Sequence, residues 1–173
     1  MKSKVMALAV FALFTTGAVF AADEPFSPYG TAKEDMHGFT RINTVFDVNY
    51  TDPAQLNLLY NYIKNTAKNL NGKVVVVTHG PEVRVFAKEN YMKYQGVVDK
   101  MAELSKDGVE FRMCNNAMHS AGFVTADMHG FVTVVPAGYP ELAYLQEQGY
   151  RFINPLPLPT KDVRYLDHPE LKK

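Results

Sequence analysis

The sequence has one cysteine and no tryptophan in 173 residues. A single cysteine cannot form a disulfide within the chain, so the stability of the fold must come from packing. Cys114 is therefore a buried small side chain, a link to another chain or a reactive thiol. Neither sign of charge dominates, because lysine plus arginine equals aspartate plus glutamate at 18 each. No basic footprint for nucleic acid is present, and no nucleic-acid partner is predicted.

The sequence also lacks the short motifs that mark several enzyme classes. It contains no Gly-x-Ser-x-Gly, no Gly-x-x-x-x-Gly-Lys, no Gly-x-Gly-x-x-Gly and no Cys-x-x-Cys. These motifs would supply a nucleophile elbow, two kinds of phosphate-binding loop and a redox dithiol. The sequence therefore has none of the motifs expected of a hydrolase, a nucleotide-binding protein or a dithiol oxidoreductase, and no cofactor is predicted.

The sequence has one long hydrophobic run, which lies at the start of the chain. A basic start, Met1 to Lys4, precedes an uncharged apolar run from Val5 to Phe20, and Ala21-Ala22 follows. This order is typical of a secretory signal peptide, with an uncleaved anchor as the alternative. The run is shorter than the roughly 20 residues that cross a bilayer, and no second run follows. We expect residues 1–21 to direct export, and we expect no integral membrane association.

The remaining chain has the length and composition of one globular domain. The full sequence is 47% hydrophobic and 21% charged, which excludes a largely disordered protein. Residues 22–41 contain two prolines and two glycines and are expected to form an extended arm. Residues 42–155 form the predicted domain, and residues 156–173, which begin within the run Pro155-Leu-Pro-Leu-Pro159, form an extended tail. Both arms carry apolar residues, so we expect at least one to pack across an oligomer interface.

Strand and helix patterns alternate along this domain. Strands are predicted at 42–48, 73–78, 109–113, 131–135 and 150–153, and helices at about 53–70, 88–105, 115–121 and 140–148. The near-continuous valine run at 73–78 is typical of a strand that is buried on both faces. The alternating order predicts an α/β fold, with a mostly parallel sheet of about five strands and helices on both faces.

The chemistry is expected at the carboxyl ends of the predicted strands, where parallel sheets gather their functional groups. The polar residues and turn glycine there are Asp47, Asn49, His79, Cys114, Gly138 and Tyr139. Cys114 directly precedes a predicted helix, whose unpaired amides and dipole favour a thiolate. Asn115 and Asn116 are interpreted as capping residues. Cys114 is thus a plausible nucleophile or sulfur carrier, and a buried inert cysteine is the alternative from position alone.

Three segments of the predicted domain carry a resemblance to known proteins. They are Gly108-Val-Glu-Phe-Arg-Met-Cys-Asn-Asn-Ala-Met118, Val132-Thr-Val-Val-Pro-Ala-Gly138 and Glu141-Leu-Ala-Tyr-Leu-Gln-Glu-Gln-Gly-Tyr150. Together they resemble the DsrE/DsrF-like family of small sulfur-relay proteins. The similarity covers about Ile42 to Pro155. It implies a three-layer α/β/α sandwich, a tendency to form homo- or hetero-oligomers and a cysteine that carries a persulfide between partner proteins. By motif, that cysteine is Cys114.

The resemblance and the signal peptide together predict a periplasmic sulfur-relay protein. In this hypothesis Cys114 takes sulfane sulfur from a donor protein or compound, holds it as a persulfide and passes it to an acceptor thiol. His79 assists as a proton donor or cation if the second and third strands are neighbours. A homo-oligomer is expected.

The sequence is also compatible with two other functions. The first is copper handling, because Cys114 and Met118 lie four residues apart on one helical face, next to His119, and His79 and His129 could approach the same sheet edge. The alternative is that Met118 packs in the core and that the histidines are ordinary surface residues. The second is a non-catalytic oligomeric binding subunit, in which Cys114 carries out no chemistry.

Overall fold

The computed structural model describes residues 30–155. The predicted signal peptide at 1–21, the first part of the N-terminal arm at 22–29 and the C-terminal tail at 156–173 lie outside the described residues. Residues 30–36 are exposed, have no helix or strand and belong to a unit separate from the domain, which begins at His37. No helix in the described part of the chain combines the length and the apolar character needed to cross a membrane.

The domain is built on a five-stranded sheet. Its strands are β1 (Thr44–Val48), β2 (Val74–Thr78), β3 (Glu110–Cys114), β4 (Val132–Val135) and β5 (Arg151–Ile153). They pair in the order β4-β3-β2-β1-β5, and every pair is parallel. All residues of β1 and β2 are buried, as expected for β-branched strands in the middle of a parallel sheet. The predicted sheet is confirmed.

Four α-helices connect the strands: α1 (Leu56–Leu70), α2 (Tyr91–Lys106), α3 (Asn115–Ser120) and α4 (Gly138–Glu147). A 3-10 turn leads into α1, and there the Asp52 carboxylate accepts the Ala54 N–H at 2.9 Å, which caps the turn. The helix ends at Asn71, whose φ of 48° is left-handed. A buried 3-10 helix, Pro81–Phe86, follows β2 and was not predicted.

The helices divide between the two faces of the sheet, which gives the predicted three-layer α/β/α arrangement. On the α1/α2 face, side chains such as Phe46, Val76 and Phe111 pack with α1, α2 and α3 in one large apolar cluster. On the α4 face, a smaller cluster contains only five buried residues: Val45, Val75, Val77, Leu142 and Leu145. Strand residues alternate between the faces, so this division assigns a face to every position along β1, β2 and β3.

Candidate functional site

Cys114 lies at a corner between a strand and a helix, as the sequence predicted. It is the last residue of β3 and the N-cap of α3, with extended backbone angles of φ −63° and ψ 118°. Its Sγ accepts a hydrogen bond from the Ala117 N–H at 3.5 Å. This contact holds the sulfur beside amides that the first turn of α3 leaves without helical partners.

The cysteine is buried, yet it lies outside both apolar clusters. Its exposed fraction is 6%, but it belongs to neither apolar cluster. Its partner across the sheet is Val135, which is also buried outside both clusters. Cys114 is thus buried at the carboxyl edge of the sheet, where β3 ends and α3 begins.

His79 meets the condition on which its predicted role depended, because β2 and β3 are neighbouring strands. Thr78 pairs with Met113, and His79 and Cys114 are the next residues of their chains. Neighbouring strands are about 4.8 Å apart. Alternation puts Asp47, His79 and Cys114 on the α4 face of three successive strands. A carboxylate, an imidazole and a thiol thus follow one another across the sheet, although no hydrogen bond among the described residues joins His79 to Cys114.

Asp47 holds the His79 ring. The His79 Nε2 lies 2.6 Å from the Asp47 Oδ1, and the exposed fractions of the two side chains are only 5% and 11%. The second carboxylate oxygen accepts from Asn154 Nδ2 at 2.9 Å. Within residues 30–155, the other ring nitrogen, Nδ1, has no hydrogen-bond partner. Asp47 therefore orients the imidazole and leaves one nitrogen available.

The start of α4 covers the same ring from the side. The Tyr139 ring centroid is 4.6 Å from that of His79. A Cβ atom at Gly138 would lie 2.6 Å from the His79 Cβ and 3.3 Å from its Cδ2. Glycine is needed at 138 because any larger residue would push the imidazole away from Asp47. The sequence singled out both positions without showing that they contact His79.

Sequence reasoning missed Glu82, the most buried polar side chain at this edge. It is 0% exposed and accepts three backbone N–H groups, from Tyr50 at 2.8 Å, His79 at 3.1 Å and Gly80 at 3.0 Å. Burial raises the pKa of this carboxyl above its ordinary value, although hydrogen bonds from the backbone N–H groups of Gly80, Glu82 and Tyr50 oppose that shift. Glu82 thereby ties the chain after β1 to the chain after β2 and fixes the backbone of His79. The sequence gives only one signal for the role of Glu82. Proline followed by glutamate at 81–82 favours the start of a helix.

A small pocket of about 350 Å³ opens beside this site. His79 and Asn49 line it from the strand ends, Arg84 lines it from the 3-10 helix, and Ala117 and Ser120 line it from α3. Cys114 is not a lining residue, but its hydrogen-bond donor Ala117 is. The pocket therefore gives solvent a route to His79 and to the residue that holds the Cys114 sulfur.

The structure does not assemble the residues that were considered for copper. Met118 is fully buried in the large apolar cluster, whereas His119 is exposed. His129 precedes the amino end of β4 and stacks on Phe131, while Cys114 pairs at the carboxyl end of β4. The expectation that His129 approaches the edge of Cys114 is thus wrong. Residues 30–155 contain no group of three or more His, Cys, Asp and Glu side chains that could hold a metal ion.

Comparisons with known proteins identify the family and the fold of this chain. The model of a family described as DsrE/DsrF-like matches residues 43–155. The structure of MTH1491, a protein of unknown function from Methanobacterium thermoautotrophicum, is similar with a TM-score of 0.56 and 24% identity, over 69% of this chain and 100% of that one. BT1422, of unknown function from Bacteroides thetaiotaomicron, has a TM-score of 0.48 and 17% identity, over 67% and 93% of the two chains. No curated protein matches the sequence. The first likeness shows a shared fold.

Proposed function

Because the chain belongs to the DsrE/DsrF-like family, we propose that it is an exported sulfur-relay protein that holds persulfide sulfur on Cys114. Family membership suggests sulfur relay at the level of the family. One observation supports the finer proposal: the only thiol of the chain lies at the carboxyl edge of the sheet, one strand from a histidine that a buried aspartate orients.

The proposed transfer has two steps and no net oxidation. The Cys114 thiolate attacks the outer sulfur of a donor persulfide, R–S–SH, so that a new S–S bond forms at Cys114 and the donor leaves as the thiolate R–S⁻. An acceptor thiolate then attacks the outer sulfur of the Cys114 persulfide. The acceptor leaves as a persulfide and the Cys114 thiolate returns. Each step moves one neutral sulfur atom and exchanges one thiolate for another.

His79 is proposed to serve the proton steps of this transfer. A donor that leaves as a thiolate needs a proton or a nearby cation, and His79 lies on the strand next to Cys114. Its Nε2 is held by Asp47, so Nδ1 is the nitrogen that would exchange a proton through the pocket. Asp47 acts as a positioning residue because it contacts the imidazole and not the sulfur.

Intact-mass spectrometry after incubation with polysulfide tests the proposal. We expect the protein to gain one sulfur mass, to lose it on reduction and to show no gain as the Cys114→Ser variant. A parallel reaction in denaturant measures the intrinsic reactivity of the same thiol. If only the denatured protein is modified, Cys114 is a core residue and the relay proposal is wrong.

The 6% exposure of Cys114 favours one competing function, a binding subunit without cysteine chemistry. The two functions predict different behaviour of Cys114→Ser. In a sulfur carrier this variant abolishes transfer to an acceptor thiol while the fold and the assembly remain. In a binding subunit it changes neither partner binding nor the phenotype of a deletion strain. Complementation of such a strain by the serine variant would therefore favour the binding subunit.

We further propose that the protein forms a homo-oligomer through the α4 face. One helix covers this face, and the exposed fractions of Tyr139 and Tyr144 on α4 and Phe152 on β5 are 68%, 53% and 44%. Phe152 pairs with Val45, which packs under α4, so it lies on the same side of the sheet. Large exposed aromatic side chains on one face are typical of interaction surfaces.

Sedimentation velocity at micromolar concentration tests this assembly. Tyr144→Ser with Phe152→Ser should shift the protein to monomer. The matched control is Leu58→Ser with Met92→Ser, which removes two exposed apolar side chains from α1 and α2 and should leave the oligomer intact. A wild-type protein that sediments only as a monomer would contradict the proposal.

Export to the periplasm is the last part of the proposal, and it rests on the sequence of residues 1–21. Expression of the full chain in a Gram-negative host, followed by cell fractionation and N-terminal sequencing, measures it directly. We expect the periplasmic form to begin after Ala21 or Ala22. Recovery of an intact N-terminus from the cytoplasm would show that no export occurs.

A further inference from the structure

A second pocket lies at the amino edge of the sheet, opposite to the edge that carries Cys114. It has a volume of about 500 Å³, and its lining includes Arg41, Lys73 and Arg151. The sheet brings these cations together from distant parts of the chain. Thr44 pairs with Val74 in β2 and with Arg151 in β5, so Arg41, Lys73 and Arg151 all flank the start of β1. We call this the amino-edge pocket.

The charge of the amino-edge pocket is not compensated within the described domain. No carboxylate lines it, and none of its three cations forms an ion pair with any of residues 30–155. Arg112 of β3, by contrast, forms ion pairs with both Glu110 and Glu141. In a chain with equal numbers of acidic and basic residues, three cations that line one pocket repel one another. An anion bound between them would relieve that repulsion.

Backbone contacts hold the pocket in shape before any ligand binds. The Thr44 N–H donates to the Lys73 carbonyl at 2.8 Å, and the Arg151 N–H donates to the Asn43 carbonyl at 2.8 Å. Gly72 packs so closely on the Ile42 carbonyl that no side chain fits at 72. The cations are therefore attached to a rigid frame, which lowers the entropy lost when a ligand binds.

The lining offers hydrogen-bond donors rather than acceptors. The Asn43 Oδ1 accepts the Lys73 N–H at 2.9 Å, so the group that this side chain has left to offer is its NH₂. Two guanidinium groups, one ammonium and one amide suit a ligand with several negatively charged oxygens. We propose that the amino-edge pocket binds a small multivalent oxyanion of the phosphate class. Because the pocket lies at the sheet edge away from Cys114, this binding is independent of sulfur relay.

Isothermal titration of the purified protein with pyrophosphate, at constant ionic strength, tests the proposal. We expect saturable binding to the wild type and to Cys114→Ser alike. Arg41→Gln with Arg151→Gln should weaken it by about tenfold or more, because two charge-assisted contacts are lost. The matched control, Lys93→Gln with Lys106→Gln, removes the same net charge from α2 and should bind as the wild type does. Equal binding of pyrophosphate by both double variants would overturn the proposal, and no saturable heat with the wild type would exclude a soluble oxyanion as the ligand.

A second arm separates free phosphates from lipid headgroups, which share this chemistry. Co-sedimentation with phosphatidylglycerol vesicles, against phosphatidylcholine vesicles as the control, measures binding to a surface. Binding to pyrophosphate alone assigns a soluble oxyanion to the pocket. Binding to phosphatidylglycerol vesicles that the Arg41→Gln, Arg151→Gln variant loses assigns a lipid phosphate. Failure in both arms refutes the oxyanion site and leaves the sulfur-relay proposal untouched.

Discussion

The two faces of the sheet differ in what their side chains do. On the α1/α2 face, 21 buried residues of the described chain form one apolar cluster, whereas the cluster on the α4 face has five. The α4 face also carries a nearly buried carboxylate and imidazole, Asp47 and His79, and the only thiol. Only the α1/α2 face has apolar burial on the scale that normally stabilises a domain of this size.

This difference shows how a small domain can bury polar side chains and still be stable. The large cluster supplies stability, so the second face can position groups whose burial opposes folding. It follows that substitutions on the α1/α2 face should change the free energy of unfolding most. Substitutions at the carboxyl edge and on the α4 face should also change sulfur uptake at Cys114.

The largest expected effect comes from matched leucines on the two faces. Leu59→Ala on α1 should lower the free energy of unfolding by about 4 kcal/mol, because it leaves a cavity in the large cluster. Leu145→Ala on α4 should cost about 2 to 3 kcal/mol, because the surroundings in the small cluster can collapse more easily. Urea unfolding followed by circular dichroism measures both. Equal losses would mean that the two faces contribute alike.

The next effect concerns Glu82, which joins the chain ends beyond β1 and β2. Glu82→Ala leaves the N–H groups of Tyr50 and Gly80 without an acceptor, whereas the His79 N–H keeps its bond to the Val48 carbonyl. The substitution should lower the free energy of unfolding by about 3 kcal/mol. Destabilisation below about 1 kcal/mol would show that water replaces the carboxylate at no cost.

Glu82 also predicts a pH dependence. Burial raises its pKa in the folded protein above the ordinary value of 4.5, so the folded state binds this proton more tightly than the unfolded state does. The corresponding stability is complete below pH 4.5 and is lost as the pH rises through the raised pKa. Glu82→Gln lacks this titration. In urea unfolding between pH 4 and 7, the wild type should therefore lose stability relative to Glu82→Gln as the pH rises.

Most of the fold could be predicted from the sequence because its elements carry strong local signals. The valine run of β2, the capping Asp52 and the left-handed Asn71 each specify an element or its boundary without help from tertiary structure. The 3-10 helix Pro81–Phe86 was missed because six residues are too few to show a helical period. Charged residues are usually exposed, so nothing local marked Glu82 as buried.

The site could be predicted only in part, because it depends on strand order. Cys114 was located from its own neighbours, a strand before it and a helix after it. The contact between Asp47 and His79 joins residues 32 positions apart and needs β1 beside β2. Sequence spacing does not encode that adjacency, which results from how the helices pack over the sheet.

A smaller loss of stability, with a change in chemistry, is expected at Asp47. Asp47→Asn weakens the hold on His79 and should lower the free energy of unfolding by about 2 kcal/mol. Sulfur uptake at Cys114 should slow by about tenfold or more, because the imidazole is no longer oriented. Asn154→Ala is the control, since it removes the other contact of Asp47 and leaves the histidine bond. Time-resolved intact mass measures uptake, and equal rates in all three proteins would exclude a role for the pair.

The smallest effects come from two helical glycines, one on each side of the sheet. Gly96 of α2 has open space around its Cα, so Gly96→Ala should raise the free energy of unfolding by about 0.5 to 1 kcal/mol through helix propensity. Gly138→Ala in α4 gains no such benefit, because the new Cβ would overlap His79, and it should instead cost about 1 kcal/mol. It should also slow sulfur uptake as Asp47→Asn does, since both changes displace the imidazole. Opposite signs for the two alanines would show that α4 is constrained by the site beneath it, whereas a stabilising Gly138→Ala would mean that His79 moves aside freely.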